Sequence, residues 1–125
     1  MLEENNIEKE IIESILIHSK ESSLNYKLAN KHFKNFTKVL CKILENGNEI
    51  LYNLIKHEEP AVRLTGAYFL LIRDKKTAEK TLKSLYKIKE NLIGSDAKII
   101  MRELKKKRLT FPKLLNGKLI WEKFM

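Results

Sequence analysis

Apolar residues near the start of the chain fall at Ile7, Ile11, Ile12, Ile15 and Leu16, with Glu8, Glu10 and Glu13 between them. Steps of 4, 1, 3 and 1 keep the apolar set on one helical face, so this spacing predicts a helix over 5–19. Ser19–Ser23 follows as a break with N-capping hydroxyls. Residues 24–46 carry the clearest period: Tyr26, Ala29, Phe33, Phe36, Leu40 and Ile43 step by 3, 4, 3, 4 and 3. Lys27, Lys31, Lys34, Lys38 and Lys42 occupy another face. The aromatic stripe reads as core packing and the lysine ridge as a solvated face, with phosphate tracking as its other reading. Gly47, between two asparagines, suits the left-handed residue that ends such a helix.

A short helix is predicted over 49–57, with Ile50, Leu51, Leu54 and Ile55 inward. Glu58-Glu59-Pro60 then forms a corner, since proline suits the first helical position and keeps the residue before it out of the helical region. The helix that follows, over 60–72, is apolar on nearly every side, which requires neighbours all round it. Gly66 in its interior costs about 1 kcal/mol in helix propensity against Ala. The return expected is close approach of a neighbouring helix. Arg63 is the one charge in this helix, and a buried-side arginine needs a partner. Glu59, Asp74 and Asp96 are the candidate acids.

Asp74 or Thr77 is placed to cap a helix over 76–91, with Ala78, Leu82 and Leu85 inward. Gly94-Ser95-Asp96 marks a third corner, and Ala97, Ile100, Met101 and Leu104 define the inner face of a helix over 96–108. That helix ends in Lys105, Lys106, Lys107 and Arg108, and its dipole alone accounts for cations there. Pro112 blocks helix continuation. Asn116-Gly117 between apolar runs is a strong hairpin signal, with a short C-terminal helix as the other possibility. A lone hairpin is marginal in water and needs Leu119, Trp121 or Phe124 to dock on the helices or on a partner.

Composition changes the picture little until charge is mapped. The 125 residues suffice for one domain and one core, with two prolines and four glycines leaving room for long helices. No apolar run reaches the length of a membrane span. The acidic start, MLEENNIEKE, lacks the pattern of a signal peptide, and a single cysteine excludes an internal disulfide framework. A reducing cytoplasm is therefore the expected setting. The net charge of +9 is uneven: residues 1–24 carry six acids against two bases, whereas residues 73–125 carry sixteen bases against six acids. Solvated lysine-rich surface is the plain reading of the second half. Nucleic acid, an anionic membrane surface or an acidic protein are the functional ones.

Three helix pairs emerge, and the corner at Pro60-Ala61 recurs 36 residues later at Asp96-Ala97. Spacing of this size belongs to helical solenoids. With its Pro-Ala-Val-Arg corner, HEEPAVRLTGAYFLL followed by GSDAKIIMRELKKKRL resembles a family of small bacterial HEAT-like proteins (armadillo-type α–α superhelices) of uncharacterised function. His57, Pro60, Val62, Arg63, Ala67, Leu70, Leu71, Gly94, Asp96, Ala97 and Leu104 carry the resemblance, which covers roughly residues 24–109. It implies an all-α fold, a right-handed superhelix of about three helical hairpins over residues 1–109. In that fold Pro60, Val62, Arg63 and Asp96 are structural corner residues, and Arg63 ties one repeat to the next through an acid. Residues 110–125 lie outside the pattern, as an extension packed on the helices or on a partner. Some such proteins are encoded beside bacterial toxins, so the resemblance also implies an immunity role.

No catalytic or metal-binding constellation stands out, and no cofactor is expected. His18, His32 and His57 are scattered, and His57 at a helix end suits hydrogen bonding. Cys41 reads as a buried inert thiol. Phosphate-loop, dinucleotide and zincin motifs are absent from the sequence. The expectation is a non-enzymatic protein-binding module, monomeric or homodimeric and without a membrane span, whose partner is another protein such as a toxin. The alternative is nucleic-acid binding. The residues available for binding are Lys27, Lys31, Lys34, Lys38, Lys105, Lys106, Lys107, Arg108 and Trp121.

Overall fold

A computed structural model describes residues 2–21, 37–42, 44, 49–116 and 118–123. Helix α1 spans Leu2–Glu21 and runs through Ser19, two residues beyond the start of the break predicted there. Residues 37–42 and 44 are helical and form α2. Then come α3 (Glu49–Leu54), α4 (Pro60–Leu70), α5 (Lys75–Ser84), a 3-10 turn (Glu90–Leu92), α6 (Ile93–Lys105) and strands β1 (Thr110–Leu115) and β2 (Lys118–Lys123). Of the predicted aromatic stripe, Leu40 is described and fully buried; Tyr26, Ala29, Phe33, Phe36 and Ile43 lie outside the described residues, as do Gly47 and Phe124.

The chain is mostly helical, but it is not purely all-α. Residues 110–115 and 118–123 pair antiparallel, with Leu115 opposite Lys118 and Thr110 opposite Lys123. The physical reason is local. Pro112 cannot continue a helix, and Asn116 takes a left-handed φ of 51°, which fits the tight turn that an Asn-Gly pair favours.

Helix α4 sits at the centre, against α1, α3, α5 and α6. Val62, Ala67, Leu70 and Leu71 are fully buried there, and Ile11 and Ile15 of α1, Leu51 and Leu54 of α3, and Leu82 of α5 close the core around them. Gly66 supplies the predicted close approach. A Cβ there would stand 2.7 Å from the Leu54 Cβ and 3.2 Å from the Ile55 nitrogen. The helix stops earlier than predicted, leaving Ile72 47% exposed.

Two boundaries move for stated reasons. Asp74 is the N-cap of α5, its Oδ1 accepting the Thr77 N–H at 3.2 Å. That helix ends at Ser84, not near 91, and the chain turns before the 3-10 segment. Consequently α6 starts at Ile93, and Gly94 lies inside its first turn. A Cβ on Gly94 would stand 2.3 Å from the Tyr86 carbonyl oxygen, and its N–H donates to the Ile88 carbonyl at 2.8 Å. Gly94 therefore serves close packing of backbone on backbone. Asp96 is an exposed acid in the first turn of α6, where it complements the dipole, and is not the corner residue predicted.

The hairpin is docked on the helices. The Tyr68 hydroxyl donates to the Thr110 carbonyl, the Tyr68 ring stacks on the buried Phe111, and Phe69 meets Tyr68 edge-on.

Candidate functional site

The corner before α4 is held from within. Arg63 Nη1 donates to the carbonyl oxygens of His57 at 3.2 Å and Glu58 at 3.4 Å. Arg63 is half-buried, and these carbonyls replace the carboxylate partner predicted for it. The guanidinium reaches back along its own chain, so it fastens the turn into the start of its helix. His57 adds to the same turn, its Nδ1 accepting the Glu59 N–H at 3.1 Å. Pro60 occupies the first helical position and Val62 is fully buried beneath it.

Beside this corner opens a cavity of about 320 Å³ lined by Leu16, Glu59, Pro60, Ala61, Glu90, Asn91 and Ile93. Its floor is apolar. Its mouth carries two exposed carboxylates, Glu59 and Glu90, contributed by the α4 corner and the 3-10 turn. Exposed Glu13 stands one helical turn before Leu16 on α1. The far wall is a strained turn. Asn91 (φ 49°) and Leu92 (φ 61°) adopt left-handed backbone in succession. Asparagine tolerates this, but leucine there costs roughly 1–2 kcal/mol. Leu92 is 66% exposed, so burial does not repay the strain. Strain of this kind gathers where a surface is used.

A second polar link joins neighbouring helices. The Tyr52 hydroxyl donates to Asp74 Oδ2 at 2.7 Å, joining α3 to the cap of α5. Accepting from Tyr52, and then from Thr77, holds the Asp74 carboxyl below its ordinary value, while the same bond to Asp74 pushes the Tyr52 phenol up. Burial pushes the Tyr68 phenol up strongly, with the nearby Cys41 adding to it.

The predicted binding residues that are described fall on α2, the end of α6 and β2. Lys27, Lys31 and Lys34 lie outside the described residues, while Lys38 is exposed on α2. Lys105, Lys106 and Lys107 are exposed at the end of α6. Arg108 is engaged by Glu103 through Nε at 2.7 Å and Nη2 at 3.2 Å. This run also terminates the helix. Lys107 takes φ 58°, its N–H donates to the Leu104 carbonyl, and the Arg108 N–H donates to Glu103 at 2.9 Å, a Schellman closure. Trp121 pairs across the strands with Pro112 and is 46% exposed. Among the described residues no group of three or more His, Cys, Asp or Glu side chains gathers as a metal site, and no helix is long and apolar enough to cross a membrane.

The acid-lined cavity was not legible in the sequence. Glu90 and Asn91 sit at the end of what reads as a helix over 76–91, and Leu92 lies between it and the corner predicted at Gly94-Ser95-Asp96. The available signal was Asn91, the residue in that stretch most tolerant of left-handed backbone. No known protein family, curated protein or solved structure matches the chain.

Proposed function

We propose that this protein is a non-enzymatic protein-binding module, a right-handed α–α superhelix of HEAT-like hairpins. Its partner is a basic protein, and its role is that of an immunity protein neutralising a bacterial toxin in the cytoplasm. The carrying observation is the exposed Leu92 on a strained left-handed turn, beside a cavity whose mouth presents Glu59 and Glu90. An apolar anchor next to exposed acids suits a partner that inserts a cationic or amphipathic side chain, and electrostatic attraction speeds such encounters. The acids also answer a difficulty of charge, since a chain at +9 overall would otherwise repel a basic partner. A standard interface needs about 800 Å² on each side, a small share of the 8623 Å² surface.

The test is co-expression with the product of the adjacent gene, followed by co-purification and by a growth-protection assay. Leu92→Glu and Glu90→Lys each weaken binding at least tenfold with unchanged circular dichroism. Binding that survives both substitutions removes this cavity as the site, and absence of both binding and protection removes the toxin reading.

A second reading, nucleic-acid binding, draws on the contiguous exposed Lys105, Lys106 and Lys107. Contacts of this type are made to phosphates, with log K falling by about 0.9 per contact against log salt. Titration against duplex DNA and RNA at low salt decides it, and no shift there ends the idea.

A further inference from the structure

On another side of the molecule, where α2, the end of α4 and β1 meet, a pocket of about 200 Å³ is lined by residues of all three. Its floor is made of Leu44, Phe69 and Phe111, all buried. Cys41 forms part of the wall, its thiol donating weakly to the Pro112 carbonyl at 3.7 Å. Exposed Arg73 and Lys113 line the mouth. No carboxylate is among the lining residues. The acid next to Arg73 in sequence, Asp74, is turned to Tyr52 and Thr77. Among the described residues neither cation has a hydrogen-bonded or ion-paired partner.

The geometry points to a binding site for a small apolar carboxylate. Apolar cavities of about 150 Å³ hold a benzene ring, so a pocket of 200 Å³ has space for a ring with a short acidic arm. Phe69 and Phe111 offer the ring an aromatic floor, where offset or edge-on contact is favoured. Arg73 offers a planar fork matched to a carboxylate, and Lys113 a second positive charge on the facing strand. A neutral ring would leave the mouth cations unanswered, and acetate would leave the floor unfilled. The pocket therefore selects for both features in one molecule.

Cys41 makes the test site-specific, because it is the chain's one cysteine and stands in the pocket wall. The whole protein is treated with a thiol-alkylating reagent, with and without phenylacetate at millimolar concentration. Phenylacetate slows Cys41 alkylation in a saturable manner, while acetate and 2-phenylethanol do so at least tenfold less effectively. Arg73→Gln combined with Lys113→Gln, two exposed changes that spare the fold, raises the half-protecting concentration about tenfold or more. A peptide ending in phenylalanine forms the second arm. Protection by phenylacetate assigns the pocket to a small molecule, and protection by the peptide alone assigns the same chemistry to a chain terminus. The inference is overturned if neither protects, if 2-phenylethanol protects as well as phenylacetate, or if the double substitution leaves protection unchanged.

Discussion

The rings of Tyr68 and Phe111 lie nearly parallel, 18° apart with centroids separated by 5.0 Å, so α4 and β1 share an aromatic contact. The Tyr68 hydroxyl completes the joint by donating to the Thr110 carbonyl. Tyr68→Phe keeps the stack and removes the hydrogen bond, and lowers unfolding free energy by about 1 kcal/mol. Tyr68→Ala removes both and costs roughly 3 kcal/mol. Burial raises the phenol above its ordinary value of 10.0. Stability from the neutral phenol is therefore complete below that pH and declines as pH rises through and above it. Urea titrations across the alkaline range check this: the decline is smaller in Tyr68→Phe.

Asp74 gives the opposite dependence. Its carboxylate is held below the ordinary value of 3.8 by Tyr52 and Thr77. A depressed acid contributes stability above its unfolded value and loses it as pH falls through the lower folded one. Asp74→Ala lowers the thermal midpoint by a few degrees at neutral pH through loss of the cap. The gap from the parent narrows in acid below pH 3.8. Calorimetry at neutral and acid pH measures it, and a gap that widens in acid contradicts the assignment.

At Gly66, helix propensity and packing pull in opposite directions. Alanine gains about 1 kcal/mol of propensity, but its Cβ enters the space of Leu54 and the Ile55 backbone. Overpacking costs about 1–3 kcal/mol. The expected net effect of Gly66→Ala is destabilisation by about 1 kcal/mol, and Gly66→Val is worse. Chemical denaturation of the two variants provides the measurement.

Lys107 carries a removable strain. Its φ of 58° is one that glycine adopts without penalty. Lys107→Gly raises stability by about 1 kcal/mol, although it removes a charge from the basic run. The same variant separates structure from nucleic-acid contact: if those lysines bind phosphates, its salt slope drops by about 0.9 while its thermal midpoint rises.

Periodic and conformationally restricted residues were the legible part of this fold. Pro60 fixed the start of the central helix, apolar residues on nearly every side of 60–71 signalled its burial, and Asn116 signalled the hairpin. What the spacing missed were places where two structures fit one pattern. Residues 85–92 keep a helix-compatible composition, so the turn that creates the acid-lined cavity left no glycine or proline to announce it. Gly94 reads as a corner glycine from its Ser-Asp neighbours, yet tertiary contact with the Tyr86 carbonyl decides its place. For Arg63, the need for a partner was legible. The choice of backbone carbonyls over an acid was not, because sequence does not reveal how close the preceding turn passes. The pocket at Arg73 was invisible for a related reason, since its walls come from three segments far apart in the chain, 41–44, 69–73 and 111–113.

That separation shapes how the molecule assembles. The helices meet mainly neighbours close in sequence, as in α3 with α4 and α4 with α5. Such contacts close small loops and form fast. The bond from Tyr68 to Thr110 spans 42 residues. The β hairpin is marginal until it docks, so its arrival is the long-range, entropically costly step. Until then the aromatic end of α4 stays open to water, and the 200 Å³ pocket, with one wall missing, does not yet exist.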